Sequence, residues 1–324
     1  MSLNFTGSET VNPIMQDKVA YMTTSQKNNV ISLTRKLATK KGLPFTQPEN
    51  ASQTRVIAIS SGKGGVGKTN IVANLGISLS RLGKKVMIFD ADLGLGNLDI
   101  LLGLTPKYNF SHVALGEKTL AEIVVEGPSG IKILPASSGI QEMANLSKNQ
   151  TANLLAEMYS VIDPIDILLI DTAAGISSNV MYFNAIAQEV LVVVSPEPTS
   201  ITDAYALMKV LSLRYGVKQF KLLVNMVGDI QEAHEVYRQL KLVAERFLDI
   251  AIEYVGHVSY DKNITRGVRR QKAVCDLFPD SPASRCFNSL AVKICQSPTG
   301  GYPLKNTRVF WQELISNKLD FSKP

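Results

Sequence analysis

Residues 55–82 read RVIAISSGKGGVGKTNIVANLGISLSRL, and no other stretch restricts the fold as much. A β-branched apolar run, Val56 to Ser60, passes through Gly62, Gly64, Gly65 and Gly67 into a segment with helical periodicity from Lys68 onward. Glycines packed this densely between strand and helix let backbone N–H groups turn toward one point with no Cβ in the way. The helix that follows aims its positive end at the same point. From Gly62 to Thr69 the spacing is G-x-x-x-x-G-K-T, a loop that cradles phosphates when it joins a strand to a helix. In that geometry Lys68 reaches β- and γ-phosphate oxygens and the Thr69 hydroxyl binds Mg²⁺.

The rest of the chain sets the sheet. Short apolar runs recur at VIAIS (56–60), VMIFD (86–90), IKILP (131–135), DILLID (166–171), VLVVVS (190–195), FKLLVN (220–225) and IEYVGHV (252–258), with longer helix-like segments between them. Strands that are apolar on both faces belong to parallel sheets covered by helices. The predicted class is therefore α/β, a mostly parallel central sheet flanked by helices. At 45% hydrophobic and 19% charged, the 324 residues can build a substantial core. No apolar run approaches the ~20 residues that span a bilayer, and no secretory pattern opens the chain. Cys275, Cys286 and Cys295 form no CxxC pair, which fits a reducing, cytoplasmic setting. The net charge of +6 permits contact with acidic lipid or nucleic acid without establishing either.

Three regions follow. Residues 1–53 are polar and partly basic, read as a solvated tail or as one short amphipathic helix with Val30, Leu33 and Leu37 beside Arg35, Lys36, Lys40 and Lys41. Residues 54–300 form the main domain, and 301–324 a helical tail on which Phe310, Trp311, Leu314 and Ile315 share a face.

Two carboxylates end predicted strands, Asp90 and Asp171. Strand ends of that kind point into the ligand crevice of an open α/β sheet. One such group holds Mg²⁺ through water and another orients an attacking water. Asn225 also ends a strand, where its amide can both donate to and accept from a base edge.

The second lysine of the loop, Lys63, makes K-G-G-x-G-K-T, which resembles the deviant Walker A loop of the MinD/ParA family, P-loop NTPases of the SIMIBI class. The resemblance spans roughly residues 54–280. It implies an ATPase with slow intrinsic turnover that forms a homodimer with ATP. Lys63 then crosses the dimer interface to the phosphates of the partner copy. DADLGLGNLD resembles switch I, with Asp92 placing the hydrolytic water. DTAAGIS resembles switch II, with Asp171 as the Walker B-type carboxylate and Asp90 beside the metal. On this reading Lys63, Lys68 and Asp92 are catalytic, and Thr69, Asp90 and Asp171 attend Mg²⁺. The nucleotide, ATP or ADP, is held by residues 62–70 (Gly62, Lys63, Gly64, Gly65, Val66, Gly67, Lys68, Thr69 and Asn70) and by Asn225 against adenine. The NKxD pattern of GTPases is absent, which favours ATP.

Within the family, SPEPTSITDAYALMKVL (195–211), the KTN ending at Asn70 and VSYDKNITRGVRRQKAVCDLFP resemble the flagellar-number regulators (FlhG, FleN or YlxH). That branch implies control of flagellar number or placement through an FlhF-like GTPase or a flagellar master transcription activator. DKVAYMT, from Asp17, departs from the D-Q-A-x-x-L-R motif that stimulates the GTPase. The alternatives are a MinD-type division-site ATPase and a ParA-type DNA segregation ATPase. No compact basic helix stands out in the core, so direct DNA binding is not expected. An iron–sulfur carrier is disfavoured by the cysteine spacing. MinD relatives end in a membrane-targeting helix, so residues 305–324 dock either on a membrane surface or on the core.

Overall fold

The computed structural model describes residues 54–92, 96–135, 148–162, 164–297 and 307–316. The expectations for residues 1–53 lie outside them, as does part of the segment after Asp92. In chain order the elements are β1 (Arg55–Ser61), α1 (Lys68–Arg81), β2 (Val86–Ala91), α2 (Leu98–Leu102), α3 (Phe110–Ala114), α4 (Leu120–Ile123), β3 (Val125–Glu126) and β4 (Lys132–Pro135). Then come α5 (Lys148–Ile162), β5 (Ile167–Ala174), α6 (Ser178–Ile186), β6 (Glu189–Val194), α7 (Pro198–Tyr215), β7 (Gln219–Val227), α8 (Ile230–Phe247) and β8 (Ala251–Ser259). The order closes with α9 (Lys262–Arg269), α10 (Val274–Leu277), α11 (Pro282–Gln296) and α12 (Thr307–Ser316).

All seven apolar runs are strands, joined in one eight-stranded sheet of order β3-β4-β2-β5-β1-β6-β7-β8. Its pairings are parallel except where the two-residue β3 runs antiparallel to β4. The side chains of β1 show why such strands read as unbroken apolar runs. Ile57 and Ile59 face a core built with α1 and α11, while Val56 and Ala58 face the opposite side, where α5, α6 and α12 pack. A third cluster joins β6 and β7 to α7 and α8. The central position of β1 sets its carboxyl end, and the loop that follows it, at the middle of the sheet.

The tail helix takes one of the two placements left open for it, and one sequence expectation is corrected. The apolar face of α12 is turned into the core: Phe310, Trp311 and Leu314 are at most 1% exposed and Ile315 6%. Trp311 meets Phe89 edge-on with ring centroids 5.4 Å apart, and the Tyr182 hydroxyl donates to the Glu313 carbonyl. The same stripe that suits lipid also suits the surface beside β2, and here it is buried there. The correction is a compact basic helix. On α9, Lys262, Arg266 and Arg269 are exposed at i, i+4 and i+7, so the charges of KNITRGVR gather on one side.

Candidate nucleotide site

The loop after β1 does what its glycines allow. Gly65 and Gly67 take φ of 82° and 85°, the left-handed region that other residues avoid. Gly67 is also the N-cap of α1, with no side-chain cap and no acidic residue in the first turn, which leaves that turn's N–H groups to an anion. A Cβ at Gly64 or Gly65 would meet no atom within 4 Å, so the ground above the loop is open. Gly62 has a different reason to lack a side chain. A Cβ there would lie 2.1 Å from the Asp203 carbonyl oxygen, so α7 packs directly on the loop's first residue. Val66 is buried, and Asn70 uses its carbonyl to accept from the Asn74 amide at 2.8 Å.

The two predicted carboxylates sit side by side, because Asp90 of β2 and Asp171 of β5 are paired in register. Both are buried. Burial, then the neighbouring Asp171, pushes the Asp90 carboxyl from 3.8 up to about 7. Burial also raises Asp171, while Lys68 and a side-chain hydrogen bond from Thr69 pull it down. The Lys68 ammonium lies 3.4 Å from Asp171 Oδ1. Two carboxylates confined in a dry crevice repel each other, and a divalent cation held there with the Thr69 hydroxyl would relieve that repulsion. These donors therefore fit Mg²⁺. Asp92 follows directly, half-buried, with its backbone N–H on Asp90 Oδ1 at 3.2 Å.

Lys63 stands apart from this cluster. Its ammonium is 2.5 Å from Glu197 Oε2 and 2.9 Å from Thr199 Oγ1, both at the start of α7. The loop is shaped beneath it by the Ser61 hydroxyl, which donates to the Lys63 carbonyl at 2.9 Å. The run PEPTS carries the resemblance to the flagellar branch, and its letters alone give Glu197 and Thr199 no role. The signal was there, in the form of an acid and a hydroxyl at a helix start. Only the fold brings them to a lysine 134 and 136 residues earlier in the chain.

Asn225 lies at the other side of the loop. Its Nδ2 donates to the Val66 carbonyl at 2.7 Å and would be 2.5 Å from a Cβ at Gly67. Its Oδ1 is buried and has no hydrogen-bond partner among the described residues. A buried acceptor of this kind is costly unless a donor reaches it. The exocyclic amino group of adenine is such a donor. The crevice thus gathers loop, lysine, hydroxyl, paired carboxylates and the Asn225 amide, groups whose chemistry suits a magnesium–nucleotide.

Known proteins point the same way. A ParA model, described as the NUBPL iron-transfer P-loop NTPase, matches residues 52–295. The chain is 45% identical over 263 residues to the antiactivator FleN of Pseudomonas aeruginosa, a match covering 81% of this chain and 94% of FleN. It is 32% identical over 271 residues to the flagellum site-determining protein YlxH of Helicobacter pylori, covering 82% of this chain and 92% of YlxH. In structure it is similar to a chain of the MinC:MinD cell division protein complex of Aquifex aeolicus, with TM-score 0.58 and 30% identity over 78% of this chain and 98% of that one.

Proposed function

This chain belongs to the ParA family of P-loop NTPases, and we propose that it is an ATP-hydrolysing switch that dimerises with ATP and sets flagellar number or placement through partner proteins. The observation that carries the ATPase reading is the open glycine loop facing the in-register Asp90–Asp171 pair. The loop amides of residues 62–69 and the Lys68 ammonium bind the phosphates. Thr69, Asp171 and Asp90 would hold Mg²⁺, which when bound supplies positive charge to the phosphate oxygens. Asp92 orients the attacking water. Asn225 Oδ1 accepts from the adenine amino group, whereas guanine would set its O6 acceptor against it; this favours ATP.

Lys63 works from the partner copy. Its contact with Glu197 occupies the ammonium within one chain, and the triphosphate of a second copy offers a more strongly charged acceptor. Released there, Lys63 stabilises negative charge on the transferring phosphoryl group, so turnover waits for dimerisation and is slow in a single chain. Nucleotide contacts to Asp92 and Asp171 then build the surface that partners read.

FleN and YlxH support the flagellar assignment, and the designation of FleN as an antiactivator favours a transcription activator over an FlhF-like GTPase as the reader. The deciding experiment deletes the gene in its native host and counts flagella per cell by electron microscopy. The expected result is altered flagellar number or placement with normal division. Normal flagella with minicells would replace this reader with a division-site one.

A further inference from the structure

We propose that Asn184 is a positioning residue that makes helix α6 respond to the nucleotide held between Asp171 and the phosphate loop. Asn184 is fully buried on a helix whose other inward residues, Val180, Met181, Phe183 and Ile186, are apolar. Its Nδ2 lies 2.6 Å from Ser60 Oγ and 2.6 Å from the Val180 carbonyl. Ser60 Oγ is 2.6 Å from Thr172 Oγ1, which donates onward to the Ile59 carbonyl at 3.0 Å. With Ser60 accepting from Asn184 and donating to Thr172, the hydroxyl protons run one way, and such a chain strengthens cooperatively in a dry interior.

The placement gives this relay its meaning. Thr172 directly follows Asp171 on β5, and Ser60 directly precedes Ser61 at the mouth of the loop. Ser61 in turn holds Lys63 through its hydroxyl and accepts from the Gly175 N–H at 2.9 Å. The segment from Asp171 to Ser177 therefore has three anchors: the strand before it, Gly175 on Ser61, and the helix after it through Asn184. Movement at Asp171 or in the loop passes to α6 by this route. A side chain that only filled space here would be apolar. Instead the site keeps an amide whose Oδ1 is buried with no partner among the described residues, a standing cost that the relay explains.

The inference rests on nucleotide binding as proposed above, and the test separates the two. Hydrogen exchange of the α6 peptide and of the loop peptide is measured with and without Mg²⁺ and a non-hydrolysable ATP analogue. In the wild type both peptides gain protection. In Asn184→Leu, which removes the bonds and keeps an apolar volume, the loop still gains protection and α6 does not. Turnover falls about tenfold, the equivalent of one lost hydrogen bond, at unchanged analogue affinity. Thr172→Val reproduces the effect and Thr172→Ser does not; this pair decides the matter if Asn184→Leu fails to fold. A merely structural role would raise exchange of α6 equally in both states. That result, or full nucleotide-dependent protection of α6 in Asn184→Leu or in Thr172→Val, overturns the inference. Absence of protection at the loop in the wild type would overturn the nucleotide reading itself, and this inference with it.

Discussion

Lys63 shows how much one side chain's surroundings decide. In the loop it is a lysine among glycines; in the structure it is an ion pair with Glu197, 37% exposed and hydrogen-bonded to Thr199. A pair this open to solvent is a weak hold, which suits a group that has to leave it. Lys63→Ala should bind ATP yet remain monomeric on gel filtration with a non-hydrolysable analogue; a normal dimer would contradict the contact in trans. Glu197→Gln should shift the same equilibrium toward dimer. Asn225 makes a second residue-scale case. Asn225→Leu removes both the bond to the Val66 carbonyl and the unpartnered acceptor. ATP affinity should drop about tenfold and GTP affinity much less, reading one base-edge hydrogen bond. Equal losses for the two nucleotides would place Asn225 in loop support alone.

Among the elements, α12 carries the sharpest prediction. Its indole packs on Phe89 and Phe310 in edge-on geometry, fully buried, with the Nε1 hydrogen unpartnered among the described residues. Trp311→Ala should cost about 3–5 kcal/mol of stability, the range for emptying a large aromatic site in a core, read by urea denaturation. A loss below about 1 kcal/mol would mean that the helix leaves the core in solution. Mg²⁺ and nucleotide add the same mass-action stabilisation to both forms when they bind both equally, so the difference should persist with ligand bound; a larger difference would show that the disturbance passes through Phe89 to the adjacent Asp90 and weakens binding. The basic helix α9 stands at the opposite limit, since its cations are exposed, with Arg266 bonded only to the neighbouring Asn263 on the same helix among the described residues, and their neutral replacements should leave folding nearly unchanged.

At the scale of the whole molecule, hydrolysis and assembly form one cycle. Asp92→Ala should trap an ATP-bound dimer, visible as a stable dimer with ATP and Mg²⁺, and normal hydrolysis by this variant would remove Asp92 from its role. The chain's own letters determined seven of the eight strands, because a strand covered on both faces of a parallel sheet is apolar at most positions, and they determined the phosphate loop, because glycine spacing is a local property. They did not reveal β3, whose two residues carry no pattern. Nor did they show that Asp90 and Asp171 lie in register, that Glu197 holds Lys63, or that Asn184, Ser60 and Thr172 form one chain. Each of those depends on strand order and helix placement, which bring together residues far apart in sequence. The amphipathic stripe of α12 marks the boundary: its periodicity states that one face avoids water, and only the packed structure decides that the shelter is Phe89 and its neighbours, since a lipid surface and a protein core reward the same pattern.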